Sequence, residues 1–377
     1  MVAPRHRATR RRRAAPVVGG VVILVLVGIG LGVVHVLTSP VATTTTTTTT
    51  TTLAPTTTTT LAPLVTMSAV GDTDLGNTPQ LPANPAGLFA PVRSLLTGDI
   101  VFGNLEGTMT TGGPSKCAHS GVGCYAFRVP PSYARVYRDA GFTVLNSANN
   151  HSYDFGAVGE SQTSAALSTA GIVQAGLPGQ IGLVRVHGVR VAFCDFAPYG
   201  LTNNLLSYSA EDSLIATARR EASVVVVYMH AGAEGPNADH VTRHEEYFYG
   251  EDRGNPYLFA HRAIDDGASV VIGSGPHVVR GLEWYRGHLI AYSLGDFTNY
   301  EAFATVGNLD LSFVLHLTLT SSGHVSAASV SPVVLLPGGQ AVPDPRGSVL
   351  GLLNSLSRSD FASSAALISP TGRVEAP

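Results

Sequence analysis

Five short apolar runs constrain the fold of this chain more strongly than any other feature of its sequence. The runs are rich in Val and Ile, are bounded by Gly, Asn or Asp, and cover residues 64–70, 99–103, 142–146, 224–229 and 269–272. Runs of this length and composition predict buried β-strands. Helical patterns lie between them, at residues 133–140, 157–170, 212–222 and 256–266. Strands that alternate with helices predict an α/β fold.

Three further segments interrupt this alternation with hairpin patterns. Their turns fall at His187 and Gly188, at Arg286 and Gly287, and at Ser322 and Gly323. A polar residue beside Gly between two apolar runs is typical of a short hairpin turn. Because these hairpins add antiparallel strands, we predict an α/β sandwich of two mixed β-sheets flanked by helices.

The first 37 residues have the composition of a membrane anchor. Six arginines lie within residues 5–13, and residues 17–37 form an uncharged apolar stretch of 21 residues. A helix needs about 20 such residues to cross a bilayer, and clustered arginines stay on the cytoplasmic side. We therefore predict a cytoplasmic tail at 1–16 and a single transmembrane signal-anchor at 17–37, with the following domain outside the plasma membrane. A cleaved signal peptide is the alternative, although its apolar region is usually only about 7–15 residues long.

The remaining chain divides into three segments by composition. Residues 38–63 are dominated by threonine, which cannot build a core, so they predict a disordered stalk that holds the next domain away from the membrane. Residues 64–336 contain all the predicted strands and form one domain. Residues 337–377 show weak periodicity from about residue 357 onward, and we predict a C-terminal extension that is partly disordered or loosely docked.

Charge and cysteine content narrow the functional classes. Without the six arginines of the tail, 17 basic side chains face 26 acidic ones, a balance that argues against nucleic acid as a partner. Cys117 and Cys124 lie close together in a loop rich in Gly and Ser, where an oxidising compartment allows a disulfide, and Cys194 lies within an apolar run. Their spacing does not match a zinc site.

Polar side chains follow each of the five predicted strands. In chain order they are Asp72 and Asp74, then Asn104 and Glu106, then Asn150, His151 and Asp154, then His230 and Glu234, and finally His277. In open α/β sheets, ligands bind beyond the carboxyl ends of the strands. Each group alone is more often a turn, a helix cap or a satisfied hydrogen-bonding residue, but their shared position predicts one functional site.

Carboxylate, amide and imidazole groups together suit a divalent metal centre with Mn, Fe or Zn. Two such ions about 3.5–4 Å apart can activate a water molecule and stabilise both the attacking and the leaving oxygen of an ester. A serine hydrolase is a weaker interpretation, because the Gly-x-Ser-x-Gly motif of its nucleophile is absent from the sequence.

Six motifs in a fixed order carry a resemblance to a known family. They read GD at residues 71–72, NLEG at 104–107, NNHSYDFG at 149–156, HAGAE at 230–234, GPHVVRG at 275–281 and YSLGDF at 292–297. This set closely resembles the CapA family, which is linked to poly-γ-glutamate capsule synthesis and belongs to the calcineurin-like metallophosphatase superfamily. The resemblance covers residues 64–336.

The resemblance implies a role for each matched residue. It implies metal ligands at Asp72, Glu106, Asn150, His230 and His277, with Glu106 as the carboxylate shared by two ions, and it places His151 beside the leaving group as a catalytic residue. Glu234 and Asp154 occupy motif positions that imply substrate contact or support of a ligand.

Three positions depart from the metallophosphatase pattern. Asp74 stands where the first motif usually has His, and we include it as a candidate ligand. Gly275 stands where the first histidine of a His-x-His pair is usual, and Asp296 replaces the Asn of the common SLGNF motif. Fewer imidazoles leave two divalent ions, a single ion or no metal at all as alternatives.

Two functions follow as competing hypotheses. The first is a metal-dependent hydrolase or transferase that acts on a phosphoester or on a polymer amide such as poly-γ-glutamate. The alternative is a non-catalytic, polymer-binding scaffold within a membrane complex for envelope-polymer synthesis, with other membrane subunits as partners. A basic groove for an anionic polymer would draw on Arg128, Arg253 and Arg280. A purely structural domain would leave the polar residues after five strands unexplained.

Overall fold

The computed structural model describes residues 62–119, 123–303 and 305–377. The predicted cytoplasmic tail, the signal-anchor and all but the last residues of the stalk lie outside the described residues. Within the described ranges, every helix is too short or too polar to cross a bilayer.

Twenty strands and five α-helices form in the described residues. The strands are β1 (Leu64–Asp74), β2 (Ile100–Leu105), β3 (Thr108–Met109), β4 (Arg128–Val129), β5 (Val144–Asn146), β6 (Val173–Ala175), β7 (Gly182–Val186), β8 (Val189–Phe196), β9 (Val224–His230), β10 (Tyr247–Phe248), β11 (Glu251–Asp252), β12 (Val270–Ser274), β13 (Leu282–Tyr285), β14 (His288–Ala291), β15 (Asp296–Asn299), β16 (Leu311–Thr320), β17 (Val325–Leu335), β18 (Ala341–Pro343), β19 (Leu367–Ile368) and β20 (Arg373–Glu375). The helices are α1 (Ala134–Ala140), α2 (Gly156–Ala170), α3 (Tyr208–Glu221), α4 (Pro256–Asp265) and α5 (Ser348–Phe361). Short 3₁₀ helices cover Pro85–Leu88, Ala90–Leu95, Pro131–Tyr133, Gly307–Asp310 and Ala362–Ser364.

Two mixed sheets contain most of these strands, so the predicted α/β sandwich is confirmed. The larger sheet has the order β19-β20-β17-β16-β1-β2-β5-β6, with β15 also paired to β1 and β18 to β17. The smaller sheet has the order β13-β14-β12-β9-β8-β7. In the larger sheet β1, β2 and β5 run parallel, and in the smaller sheet β8, β9, β12 and β14 run parallel. The carboxyl ends of each parallel set therefore lie at one edge of its sheet.

The inner faces of the two sheets share one hydrophobic core. The ring of Phe102 in β2 lies 5.4 Å from the rings of both Phe193 in β8 and Tyr228 in β9, measured between centroids. Helices α1 and α2 cover the outer face of the larger sheet, whereas α3 and α4 cover that of the smaller sheet. Helix α4 begins where its local sequence favours it, because Asn255 accepts a hydrogen bond from Leu258 N and Pro256 occupies the first turn.

The C-terminal segment differs from its prediction. Residues 337–377 are not frayed: β18 and β20 pair with β17, and β19 pairs with β20. Val349 and Leu353 of α5 are buried in the core between the sheets. These two side chains are four positions apart, so they share one helix face.

Candidate metal centre

Five carboxylate and imidazole side chains meet where the carboxyl ends of parallel strands from both sheets converge. Asp72, Glu106 and His230 form one cluster, and Asp72, His277 and Asp296 form a second. Within each cluster, one potential ligand atom per residue lies within 4.8 Å of the others, and all five side chains are buried. Asp72 belongs to both clusters and Glu106 to only one, so the shared carboxylate is Asp72 and not Glu106, to which the family resemblance gave that place.

The first cluster joins the two sheets. Asp72 lies near the end of β1, and Glu106 follows β2, both in the larger sheet. His230 ends β9 of the smaller sheet, and its Nδ1 lies 3.9 Å from both Asp72 Oδ1 and Glu106 Oε2. These distances leave space among the three groups for one ion that all three could bind.

The second cluster depends on a close approach of β15 to β1. Gly71 allows this approach, because a Cβ there would overlap the carbonyl oxygen of Gly295. Asp72 and Asp296 consequently lie opposite each other in a parallel pairing. His277 Nδ1 lies 2.8 Å from Asp296 Oδ1 and 3.4 Å from Asp72 Oδ2.

A buried asparagine orients two of the carboxylates. Asn104 donates from Nδ2 to Asp72 Oδ1 at 2.6 Å and also to Glu106 Oε2. Its Oδ1 accepts hydrogen bonds from Asn146 at 2.6 Å and Asn149 at 2.8 Å. Asn146 and Asn149 thus act on the site through Asn104, in addition to shaping their own turn.

Unpartnered buried atoms test whether these residues fit a cation. Among the described residues, Glu106 Oε1, His230 Nε2 and Asn150 Oδ1 are buried without a hydrogen-bond partner. An unsatisfied buried polar atom costs about 1–3 kcal/mol, so such atoms gather where a ligand supplies the missing interaction. Oxygen and imidazole donors in this proportion suit Mn, Fe or Zn. The residues present therefore fit one or two divalent ions.

The carboxyl groups of the centre differ in the direction of their pKa shifts. Burial, followed by the negative charge of Asp72, raises the pKa of Glu106 well above its usual range, and burial likewise raises the pKa of Asp296. Burial raises the pKa of Asp72, but a hydrogen bond with His277 and the charge of that imidazole together lower it to about 2. Although burial lowers it, the pKa of His277 is raised well above its usual range, first by Asp296.

His151 lies at the mouth of the centre in a chain of polar contacts. Its Nδ1 lies 2.8 Å from Asp154 Oδ2, and Asp154 Oδ1 lies 2.6 Å from Lys116 Nζ. Its Nε2 lies 3.8 Å from Glu106 Oε1. Burial lowers the pKa of His151. Because a carboxylate partner favours a proton on Nδ1, Nε2 is the ring nitrogen left to exchange a proton with a substrate.

The centre opens into a cleft of about 840 Å³. Asn150, His151, Glu234 and His277 line its base. Glu234 Oε1 lies 2.7 Å from Arg253 Nη1, and Glu234 Oε2 lies 3.7 Å from His277 Nε2. Glu234 therefore places a carboxylate near His277 at the side of the cleft.

The structure brings together most residues that the sequence selected. Asp72, Glu106, His230 and His277 lie in the clusters, and Asn150, His151 and Glu234 line the cleft; their chemical roles stay predictions. Asp74 lies outside both clusters, because its Oδ1 instead accepts a hydrogen bond from Gly76 N at 2.9 Å in a local turn.

Asp296 completes the second cluster, and the sequence interpretation did not include it as a ligand. It was noted only as a substitution in the SLGDF motif. A signal was present, since Gly295 and Asp296 repeat the Gly-Asp pair formed by Gly71 and Asp72. The two pairs are far apart in sequence, but β15 pairs with β1 and so brings Asp296 next to Asp72.

Gly275 explains the missing histidine of the usual pair. Its φ is +106°, and a Cβ there would lie 3.1 Å from both Nε2 and Cδ2 of His230. A side chain at this position would press on the His230 ring. The second cluster instead takes its additional ligand from Asp296.

Comparison with known proteins gives one family match. A model described as bacterial capsule synthesis protein PGA_cap matches residues 66–301. The PGA biosynthesis protein CapA of Bacillus subtilis is 30% identical over 256 residues, which cover 62% of this chain and 63% of that protein. The capsule biosynthesis protein CapA of Bacillus anthracis is 28% identical over 259 residues, which cover 62% and 59% respectively. The match thus spans less than two thirds of the length of either relative.

Several solved structures show a distant similarity in fold, and one of them illustrates its extent. The 5'-nucleotidase precursor of Thermus thermophilus aligns with a TM-score of 0.41 and 14% identity, over 77% of this chain and 58% of that chain.

Proposed function

Since this chain belongs to the CapA family of bacterial capsule synthesis proteins, we propose that it is a metal-dependent hydrolase or transferase of envelope-polymer synthesis. Its substrate would be a phosphoester or the amide of an anionic polymer such as poly-γ-glutamate. The observation that carries this proposal is the pair of buried ligand clusters that share Asp72 and open into the cleft beside His151.

Each side chain of the centre has a defined task in this proposal. Asp72, Glu106, His230, His277, Asp296 and Asn150 would hold the divalent ions. When bound, such ions lower the pKa of a water molecule and polarise the bond to be cleaved. Asn104 fixes the two carboxylates of β1 and β2, and Glu234 positions His277. His151, whose Nδ1 is held by Asp154, would exchange a proton with the substrate through Nε2, and would donate to the leaving group once Nε2 has taken up a proton.

The location of the reaction is part of the proposal. An apolar segment at 17–37, preceded by arginines and followed by a threonine-rich stalk, supports a single-pass plasma membrane protein with its domain outside the cell. In that position the cleft would meet a polymer during or after export. Other membrane subunits of the same synthesis system are the expected partners.

Metal content and turnover of the purified full-length chain test the proposal. We expect bound Mn, Fe or Zn, and metal-dependent cleavage of a chromogenic phosphoester or of γ-linked glutamate oligomers.

Asp72→Asn should lose metal and activity together. His151→Asn should keep its metal while turnover falls by about 10²–10⁴-fold. His324→Asn, in an exposed hairpin turn, serves as the histidine control and should match the wild type. Activity that survives both site substitutions would exclude this function.

A polymer-binding scaffold is the second candidate. The observation that favours it is Gly275, which leaves the centre with fewer imidazoles than the usual pattern. A scaffold would bind γ-glutamate oligomers with unchanged affinity in His151→Asn and would turn over neither substrate class with any of the three metals. Metal-dependent turnover would exclude it.

A further inference from the structure

Two arginines are fully buried near the cleft, and they differ in how their donors are used. The side chains of Arg253 and Arg280 are each only 1% exposed. Arg280 uses all three of its nitrogens: Nε donates to Ala238 O, and Nη1 and Nη2 donate to Glu246, with Nη2 also near Ala233 O. Arg280 is therefore a structural residue whose hydrogen-bonding capacity is filled.

Arg253 keeps one edge of its guanidinium group without a partner. Its Nη1 is paired with Glu234 Oε1 at 2.7 Å, whereas Nε and Nη2 are buried and make no hydrogen bond among the described residues. Nε and Nη2 donate in parallel from one side of the planar group. This edge matches the two oxygens of a carboxylate in a bidentate pair, an arrangement that an ammonium group cannot reproduce.

The surroundings of Arg253 connect this residue to the substrate side of the centre. Arg253 lines the cleft together with Phe248 and Glu251 of the β10–β11 hairpin. Through Glu234 it is linked to His277, which belongs to the second ligand cluster. A group bound at Arg253 would thus lie beside the metal centre and not within it.

Burial of the unpaired Nε–Nη2 edge costs free energy unless a hydrogen-bond acceptor binds there. A cationic donor that has left water without gaining an acceptor loses its hydration with no compensation. The neighbouring carboxylate of Glu251 does not fill the edge, because it lies 3.9 Å from Nη1 and its side chain is 61% exposed. An oxyanion from the cleft would supply both missing acceptors at once.

We propose that Arg253 is a specificity-determining residue, and that its Nε–Nη2 edge receives a free carboxylate of the substrate while the neighbouring bond lies at the metal centre. The inference rests on the proposed function and narrows its substrate class to polymers with a free carboxylate on the unit beside the reacting bond. Neutral polymers are excluded as preferred ligands.

Calorimetric binding to the full-length chain tests this assignment with three probes. They are a γ-linked glutamate trimer with free α-carboxylates, the same trimer with α-carboxamides, and inorganic phosphate. We expect the wild type to bind the acid trimer at least about tenfold more tightly than the amide trimer, because only the acid can form the bidentate pair. Arg253→Lys, which keeps the charge but removes the planar edge, should bind both trimers equally and retain its metal.

Arg280→Lys is the matched control, since it alters an equally buried arginine whose donors are already filled. It should keep the preference for the acid trimer. Glu251→Gln leaves Arg253 intact and removes an exposed negative charge beside it, so it should tighten binding of the acid trimer and leave the amide trimer unchanged. This second variant keeps the test informative if Arg253→Lys does not fold.

Two outcomes would overturn the inference: an unchanged acid preference in Arg253→Lys, or loss of phosphate binding alone in that variant. The proposed function fails separately. Arginine-dependent binding of the acid trimer without turnover would reject catalysis and keep the assignment of Arg253. Turnover that is equal for acid and amide substrates would keep catalysis and reject the assignment.

Discussion

The side-chain amide of Asn104 contacts two candidate ligands at once. It donates to Asp72 and to Glu106, while Asn146 and Asn149 donate to its oxygen. Partners of metal ligands fix the direction in which the ligands point, and their loss commonly weakens metal binding by about 10–100-fold. Asn104 is therefore a positioning residue for the centre, although it carries no charge and touches no substrate.

Asn104→Ala should weaken metal binding by about 10–100-fold and lower the free energy of unfolding by about 1–3 kcal/mol, because two carboxylates and two amides lose a partner. Metal titration and chemical denaturation measure the two effects. Asn203→Ala is the control: Asn203 is also buried but bonds only backbone groups away from the clusters, so stability should fall and metal affinity should not. Equal metal affinity in both variants would contradict the role of Asn104.

Metal binding should release protons from the centre. Glu106, Asp296 and His277 all have raised pKa values, so each holds a proton to higher pH than usual, and an ion must displace it. Metal affinity should consequently fall as the pH drops. Calorimetry in buffers of different ionisation enthalpy measures the release, and Asp296→Asn should release fewer protons. Binding that is independent of pH would contradict this expectation.

The same pKa shifts affect the metal-free protein. A carboxyl group whose pKa is raised in the folded state contributes stability at low pH, and this contribution is lost as the pH rises through the raised value. Glu106 therefore destabilises the metal-free fold when it ionises, whereas Asp72, with a pKa of about 2, stabilises the fold until the pH falls towards that value.

At the scale of single residues, the sequence predicted those site residues that directly follow a buried strand. Asp72, Glu106, His230 and His277 needed only the rule that parallel strands end at one edge. Asp296 needed knowledge that β15 approaches β1, and the role of Asn104 depends on two asparagines 42 and 45 residues further along the chain. Such contacts between distant segments leave no local pattern.

At the scale of elements, strand positions were predicted well and strand ends less well. All five predicted strands are present, but β1 extends to Asp74 and β5 begins only at Val144. Apolar composition marks the buried part of a strand, whereas pairing with a neighbour decides where it ends. The first strand extends because Asp72, Thr73 and Asp74 pair with β15, a pairing that hydrophobicity does not report.

Gly275, which directly follows β12, offers a test of how closely the backbone there packs against His230. Gly275→Ala should destabilise the protein by about 1–2 kcal/mol through its positive φ, and it should also weaken metal binding because the new Cβ presses on His230. Gly287→Ala is the control, since Gly287 has a φ of +81° and no heavy atom would lie within 4 Å of its Cβ. It should show the stability loss alone, and a matching metal defect there would contradict the explanation.

For the whole molecule, the predicted anchor and stalk imply membrane attachment with the domain, and hence the cleft, outside the cell. The full-length chain should remain with membranes after an alkaline wash, and protease added to intact cells should remove the domain. A variant without residues 1–37 should stay inside the cell in soluble form, because it lacks the segment that directs export. A domain protected from external protease in intact cells would contradict the predicted orientation.

The ligand clusters take their side chains from both sheets, with Asp72 and Glu106 in one and His230 in the other. An ion held there fastens the two halves of the sandwich at the edge where substrate would enter. An ion that binds only the folded state adds stability in proportion to the logarithm of its free concentration. The melting temperature of the protein should therefore rise with the concentration of that metal. A scarcity of that metal would therefore lower the stability of the fold as well as the occupancy of the centre.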